Sequence, residues 1–228
     1  MSFWIDIHSH TLPSQEEEEK ICLYNLPFPE KEGEKMIIPE KRASLYFSAG
    51  IHPNTPSPAP EWEEQNFRKL LSLLEGKKLL AIGECGMDPH SPLSKEEQME
   101  RFQKQVLLSE KYSLPLILHC VHCWEEIFFI RKKCKAEMPW IAHSFRGSPQ
   151  LAKDLETKGI HPSFAVVFPE KCPRMGEYSF LSRFFLETDE SSIDLRHLYR
   201  ILSEKWKMEE EVLRDKIATS FREVFHVQ

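Results

Sequence analysis

The chain has 228 residues, with 30 Lys plus Arg against 36 Asp plus Glu, a formal net charge of −6, and 41% hydrophobic against 29% charged residues. That length allows one large domain or two small ones, and the balance is that of a folded globular protein, not a disordered one. No run approaches the roughly 20 apolar residues of a membrane helix, the opening MSFWIDIHSH has no basic-then-apolar leader, and the mild acidity argues against a broad nucleic-acid-binding face while leaving room for a local phosphate site.

In chain order, strands are predicted at Phe3–Ile7, Ile21–Asn25, Leu45–Ala49, Leu79–Glu84, Pro115–Cys120, Trp140–His143, Ile160–Val167 and Phe184–Thr188. Each is short, apolar on both parities and bounded by Gly, Pro or polar residues, the pattern of strands buried on both faces of a parallel sheet. Helices are predicted at Glu61–Glu75, Ser94–Tyr112, Trp124–Lys135, Ser148–Lys158, Asp194–Lys205 and Glu209–Phe225, and Ser94-Lys95-Glu96-Glu97 reads as a capping box opening the second. Eight strands alternating with helices predict the α/β class, a TIM (β/α)8 barrel forming a single domain over residues 1–228. The first third fits less well. Glu16–Lys20 is short for a crossover helix and Phe28–Arg42 is rich in Pro and charge, whereas a parallel crossover takes about a dozen residues or more. The barrel is therefore expected to be distorted, with outer helices missing or shortened there. Pro56, Pro58 and Pro60 stiffen a loop between a strand and a helix.

The cysteines are Cys22, Cys85, Cys120, Cys123, Cys134 and Cys172. Cys120 and Cys123 form a C-x-x-C without a second pair or a zinc-finger spacing, so they read as unpaired thiols in a reducing, cytoplasmic setting.

The chemistry gathers at strand ends. In Asp6-Ile7-His8-Ser9-His10 the alternation of side chains puts Asp6, His8 and His10 on one face. Two histidines on one face can grip a divalent ion, but alone they are a weak pattern. The later strand ends strengthen it. They carry His52 in GIHP, Glu84 in GECGMD, His119, His143, and Asp189 in LETD. In a (β/α)8 barrel every C-terminal strand end opens onto the mouth where active sites lie. His8, His10, His119, His143, Glu84 and Asp189 would converge there from five strands. They exceed what one tetrahedral ion needs and suit a two-metal site, with Glu84 as the bridging carboxylate and Gly83 and Gly86 leaving room around it. Mixed His and carboxylate donors are compatible with zinc, manganese or magnesium. His52 lies at the mouth, as a substrate contact or as a holder of its loop. Asp88 is expected to order the loop around Glu84. Trp4, Trp62, Trp140 and Trp206 read as packing residues, and Trp124 follows the fifth strand at the mouth.

DIHSH, GIHP, GECGMD, the LHC at His119, the AHSF at His143 and the LETD at Asp189 occur in that order. Together they resemble the TatD family of metal-dependent hydrolases. The resemblance runs from Trp4 to Phe225, where IATSFREVF is similar to the family's closing helix, and is thin between Pro13 and Ser44. It implies a TIM-barrel hydrolase with two divalent ions (Mg, Zn or Mn) that cleaves phosphodiester bonds with a metal-activated water, a deoxyribonuclease working as an exonuclease. It implies that His8 and His10 bind the first ion, that Glu84 bridges, that His119 and His143 hold the second, and that Asp189 binds metal and orients the attacking water. Glu84 and Asp189 are thus the catalytic carboxylates. Single-stranded DNA or a small phosphoester is the expected substrate, and a monomer without membrane attachment the default expectation. One departure bears on substrate. The family's run after the fifth-strand histidine carries an Arg-Asp pair, and here it reads His119-Cys120-Val121-His122. Arg146 in HSFRGS and His122 are the candidates to take over the phosphate contact, beside His52. The alternative is an amidohydrolase-like C–N or other ester hydrolase on the same metal-dependent barrel. Many two-metal members of that group carry a carboxylated lysine where this chain has Glu84, which favours the phosphodiesterase.

Overall fold

The computed structural model describes residues 3–14, 19–28, 36–56, 59–165, 172 and 174–227. Most of Glu16–Lys20, part of Phe28–Arg42, Pro58 and the last two positions of the Ile160–Val167 strand lie outside the described residues. In chain order the elements are β1 (Trp4–Ser9), β2 (Lys20–Asn25), β3 (Leu45–Ala49), α1 (Pro60–Glu75), β4 (Ala81–Met87), α2 (Lys95–Tyr112), β5 (Leu116–Cys120), α3 (Trp124–Cys134), β6 (Trp140–Ala142), α4 (Pro149–Glu156), β7 (Ile160–Ala165), a short 3-10 turn (Met175–Tyr178), β8 (Phe185–Glu187), α5 (Leu195–Trp206) and α6 (Glu210–Phe225). The strands lie in the sheet in sequence order, β1 to β8, and the paired registers are parallel. This is the (β/α)8 class. No helix among the described residues is long and apolar enough to cross a membrane.

The chain divides into two compact units. The first is Met1–Tyr24, Arg42–Tyr46 and Pro139–Gln228; the second is Asn25–Lys41 and Phe47–Met138.

In the first unit, Asp189 N–H donates to His8 O at 3.0 Å and His10 N–H to Asp189 O at 3.0 Å, so the chain leaving β8 runs beside the end of β1. The core is aromatic: Trp140, Phe164, Phe184, Phe185, Tyr199 and Phe221 are buried. Burying side chains of this size is worth about 1.5–3 kcal/mol each. No crossover helix is found among the described residues between β1 and β3. The closing helices cover that side instead. The ring of Phe221 on α6 meets Tyr46 of β3 at 6.0 Å. Trp4 packs edge-on against Tyr199 at 4.9 Å and under the Arg214 guanidinium at 4.2 Å. An amphipathic helix from the chain end thus supplies the apolar cover that the short loops cannot.

Buried Asp6 does not join its strand-mates His8 and His10 in the site. It pairs with Lys20 Nζ at 3.2 Å and accepts from Thr188 N–H and Oγ at 2.9 and 2.8 Å. Burial pushes its carboxyl above the ordinary range, against the opposing pull of Lys20 and Thr188. The result is a fixed seat for the segment that carries Asp189.

Glu156, ending α4, accepts from Ser182 N–H and Arg183 N–H at 2.8 and 3.3 Å and from the Ser182 hydroxyl. Burial tends to raise its carboxyl, but these bonds outweigh burial and hold it below the usual value. A group depressed in the folded state stabilises above its unfolded value and loses that contribution as pH falls through the folded one. Glu156→Gln should cost about 1 kcal/mol at pH 7, with the gap to wild type closing as pH falls below about 4. Urea midpoints across pH check this; a gap that stays constant would refute it.

In the second unit, α2 opens with the predicted capping box: Ser94 Oγ accepts from Glu97 N–H at 3.3 Å and Glu97 Oε2 from Ser94 N–H at 2.8 Å. The strand β4 is buried along its whole length and continues past Glu84, further than the periodicity predicts. It pairs with β5 as Cys85↔Leu118, Gly86↔His119 and Met87↔Cys120, with a register irregularity between Ile82 and Cys85. Such irregularities re-aim a side chain, and here the one re-aimed is Glu84.

Candidate metal centre

In the first unit five donors come together from β1, the residue after β6, β8 and the residues beyond β1 and β8. His8 is fully buried, and its ring lies 4.9 Å from that of His10 and 4.8 Å from that of His143. His8 Nε2 and His10 Nε2 stand 3.9 and 3.8 Å from Asp189 Oδ1. His143 Nδ1 is 3.3 Å from Glu187 Oε1. The donor atoms of His8, His10 and Asp189, and those of His143, Glu187 and Asp189, form two groups within 4.8 Å, sharing Asp189. Asp189 sits at φ 56, a left-handed conformation Asp tolerates better than most residues.

Glu187 is absent from the donors read off the sequence. Its sign in the sequence is that it is a second acidic residue, two positions before Asp189 at the end of the last strand run. The Glu187 carboxylate is fully buried, and its Oε1 accepts from Ser144 N–H at 2.6 Å. Burial works to raise its pKa, but the hydrogen bond and charge of His143, the charge of His8 and the nearby Ser163 hydroxyl together hold it below the ordinary value. The fold thus favours its charged form. No hydrogen bond of normal geometry reaches its Oε2 among the described residues. A buried charge in this condition is costly unless a cation completes it, and three histidines and a second carboxylate are the partners a divalent ion takes. The donor set fits a metal.

In the second unit the donors are His52, Glu84 and His119, with atoms within 4.8 Å. Glu84 Oε1 meets His119 Nδ1 at 2.7 Å and faces His52 Nε2 at 3.5 Å. The other His119 nitrogen, Nε2, meets Asp88 Oδ2 at 3.2 Å. Asn54 N–H can only donate, so His52 Nδ1, 3.0 Å away, accepts. Neutral His52 then carries its proton on Nε2 and presents it to Glu84. Asp88 also accepts from His90 N–H at 2.9 Å and Asn54 Nδ2 at 3.2 Å. Burial works to raise Asp88, yet these donors and His119 outweigh it and lower its pKa. Asp88 orders its loop, as expected from the sequence, and also braces His119.

The glycines around Glu84 are required by contact. Gly83 and Gly86 have φ 146 and 147, and a Cβ would lie 2.4 Å from Ile117 O in the first and 1.9 Å from His119 O in the second. Only a bare backbone lets β4 approach β5 closely enough to set Glu84 on His119.

Of the other sequence candidates, Arg146 is exposed on the turn after β6. That turn is held by Tyr178 OH donating to Gly147 O at 2.5 Å. His122 is exposed at φ 52. Neither joins a donor group. Trp62, Trp140 and Trp206 are buried. Burial pushes the Cys120 thiol up to about 12, so it is not a thiolate, in keeping with its place outside the donor set.

Residues 5–226 match the family described as TatD related DNase. The chain belongs to this family. Among curated TatD relatives, the "3'-5' ssDNA/RNA exonuclease TatD" of Erwinia tasmaniensis is 36% identical over 110 residues, 46% of this chain and 40% of that protein. The protein of the same name from Cronobacter turicensis is 28% identical over 121 residues, 52% of this chain and 45% of that one. The "uncharacterized metal-dependent hydrolase YabD" of Bacillus subtilis is 32% identical over 131 residues, 57% of this chain and 50% of that one. The chain thus spans half or less of the length of these relatives. Among solved structures, the TatD homologue YJJV of Escherichia coli K12 has a TM-score of 0.68 at 20% identity, covering 82% of this chain and 79% of that one. A TatD family hydrolase of Entamoeba histolytica has a TM-score of 0.61 at 17% identity, covering 79% and 74%. At these identities the likeness is one of fold.

Proposed function

We propose that this TatD family chain is a two-metal hydrolase that cleaves phosphodiester bonds, removing nucleotides from the end of single-stranded DNA. The observation that carries the reading is the fully buried Glu187, whose charged form the fold favours, grouped with His143 and Asp189 beside the His8, His10 and Asp189 donors. The names of the curated relatives support the substrate class. His8, His10, His143, Glu187 and Asp189 would hold one divalent ion. Glu84 and His119 would serve a second. Magnesium, manganese and zinc all suit these donors.

When bound, such ions lower the pKa of water and neutralise charge on phosphoryl oxygens. The remaining work falls to the chain. The two carboxylates near His8 divide it by exposure: the Asp189 side chain is 27% exposed and the Glu187 side chain 0%. Asp189 is the one that can take a proton from the attacking water at its carboxylate and release it to solvent. Glu187 stays charged. His52 holds the Glu84 carboxylate through Nε2–H. Arg146, exposed on its anchored turn, contacts a substrate phosphate in place of the absent arginine, with His122 beside the end of β5 as a further contact. A monomer in the cytoplasm completes the reading.

The test is a 5′-labelled single-stranded oligonucleotide with metal-stripped protein, to which Mg2+, Mn2+ or Zn2+ is returned, run beside amide and lactone substrates. Stepwise shortening that needs the ion, with no amide or lactone turnover, is expected. Amide or lactone turnover without shortening would move the assignment to the C–N or ester hydrolases. Asp189→Asn should lower the rate about 10²- to 10⁴-fold with metal content retained. An unchanged rate removes Asp189 as the base.

A further inference from the structure

Helix α2 has an inward face that should be apolar on a helix laid against a sheet. It is not. At helical spacing it buries Gln98, Arg101 and Gln105, which are 4%, 3% and 0% exposed, beside Phe102 and Val106. Each polar group is matched to loop backbone. Gln105 accepts from Ile51 N–H at 2.7 Å and donates to Ile51 O at 3.0 Å. Arg101 Nη1 donates to His52 O at 3.1 Å and Thr55 O at 2.7 Å, while its Nε and Nη2 grip Glu63 at 3.0 and 2.5 Å. Gln98 accepts from Asp88 N–H at 2.9 Å and donates to Leu93 O at 3.1 Å.

These partners are the loop carrying His52 and the loop carrying Asp88, the two residues that face Glu84 and His119. The loops are also joined to each other, Asn54 Nδ2 to Asp88 Oδ2 at 3.2 Å and Ser91 Oγ to Pro53 O at 2.7 Å. We infer that Gln98, Arg101 and Gln105 are positioning residues, a polar frame on α2 that sets His52 and Asp88 against the Glu84–His119 pair. A buried guanidinium and two buried amides are costly positions to fill for packing alone. Their hydrogen bonds run to the backbone on either side of His52 and at Asp88, so they fix where those side chains start. Arg101 does the largest share, because one planar fork joins two carbonyls of the His52 loop to Glu63 on α1. The inference rests on the metal-site reading above.

The test is Mn2+ affinity of the whole chain, measured by calorimetry on metal-stripped protein, for wild type, Arg101→Lys, Arg101→Met and Gln105→Leu, with folding followed by circular dichroism. Folded variants of Arg101 or Gln105 should lose about tenfold or more in Mn2+ affinity, an effect of the size seen when groups behind metal ligands are removed. Arg101→Lys keeps the charge toward Glu63 and one carbonyl contact. It should fall between wild type and Arg101→Met, and it decides the matter if Arg101→Met does not fold. Folded variants that bind Mn2+ like wild type would overturn the frame and leave the metal site standing. A wild-type chain that binds no Mn2+ would overturn both.

Discussion

Glu187→Gln should abolish most of the activity while leaving the fold intact. The amide is the same shape and keeps an oxygen to accept from Ser144 N–H, now 2.6 Å from Glu187 Oε1. It removes a buried negative charge whose Oε2 has no hydrogen bond of normal geometry among the described residues. Without metal the variant should still fold but be less stable than wild type by about 1 kcal/mol, since the lowered pKa of Glu187 means the folded chain favours its charge. With Mn2+ the picture separates: wild type should gain thermal stability through ligand linkage, and the variant should gain much less. Turnover should fall by about 100-fold or more, as for loss of a group at a metal centre. Melting curves with and without Mn2+, paired with oligonucleotide turnover, check this. Equal stabilisation by Mn2+ in both proteins would show that Glu187 has no part in holding the ion.

The second large effect is Gly86→Ala. The added Cβ would lie 1.9 Å from His119 O and 2.9 Å from His119 C, at a φ of 147 that L side chains avoid. Backbone, not a flexible side-chain tip, is what it meets, so β4 and β5 must part. Strain and lost strand pairing together should cost about 3 kcal/mol or more. Because β5 carries His119, what remains folded should also bind metal poorly. Gly76→Ala provides the control: its Cβ would come no closer than 3.2 Å, to Ser72 O, and its φ is −72, so it should be near neutral or stabilising. Denaturant melts of both variants decide. A Gly86→Ala protein as stable as wild type would contradict the close approach of β4 to β5.

The strands and helices were legible because the strand runs are apolar on both faces and the helices carry clear starts, such as Ser94 and Glu97 on α2. The first third was legible only as a gap. That Phe221 of α6 covers Tyr46 joins residues far apart in sequence, and no local pattern reports such a contact. At the site, His8, His10, His119, His143, Glu84 and Asp189 were visible because each is a donor at a strand end. Glu187 does not stand out in the sequence, because it sits inside the last strand run while Asp189 follows its end. The supporting role of His52 needed the Asn54 amide, which fixes its tautomer. The polar row on α2 was read simply as helix, since Gln and Arg favour helices wherever they point, and only burial shows that Gln98, Arg101 and Gln105 turn inward.

Metal content decides whether the His8–Asp189 donors and the Glu84–His119 donors each hold a divalent ion. Stripped protein is reloaded with Mn2+, desalted and analysed, wild type beside a His8→Ala/His10→Ala double variant. About two ions per wild-type chain are expected, as in two-metal hydrolases, and about one in the variant, left on Glu84 and His119. A wild-type chain that retains no metal, or a variant that retains as much as wild type, would contradict that expectation.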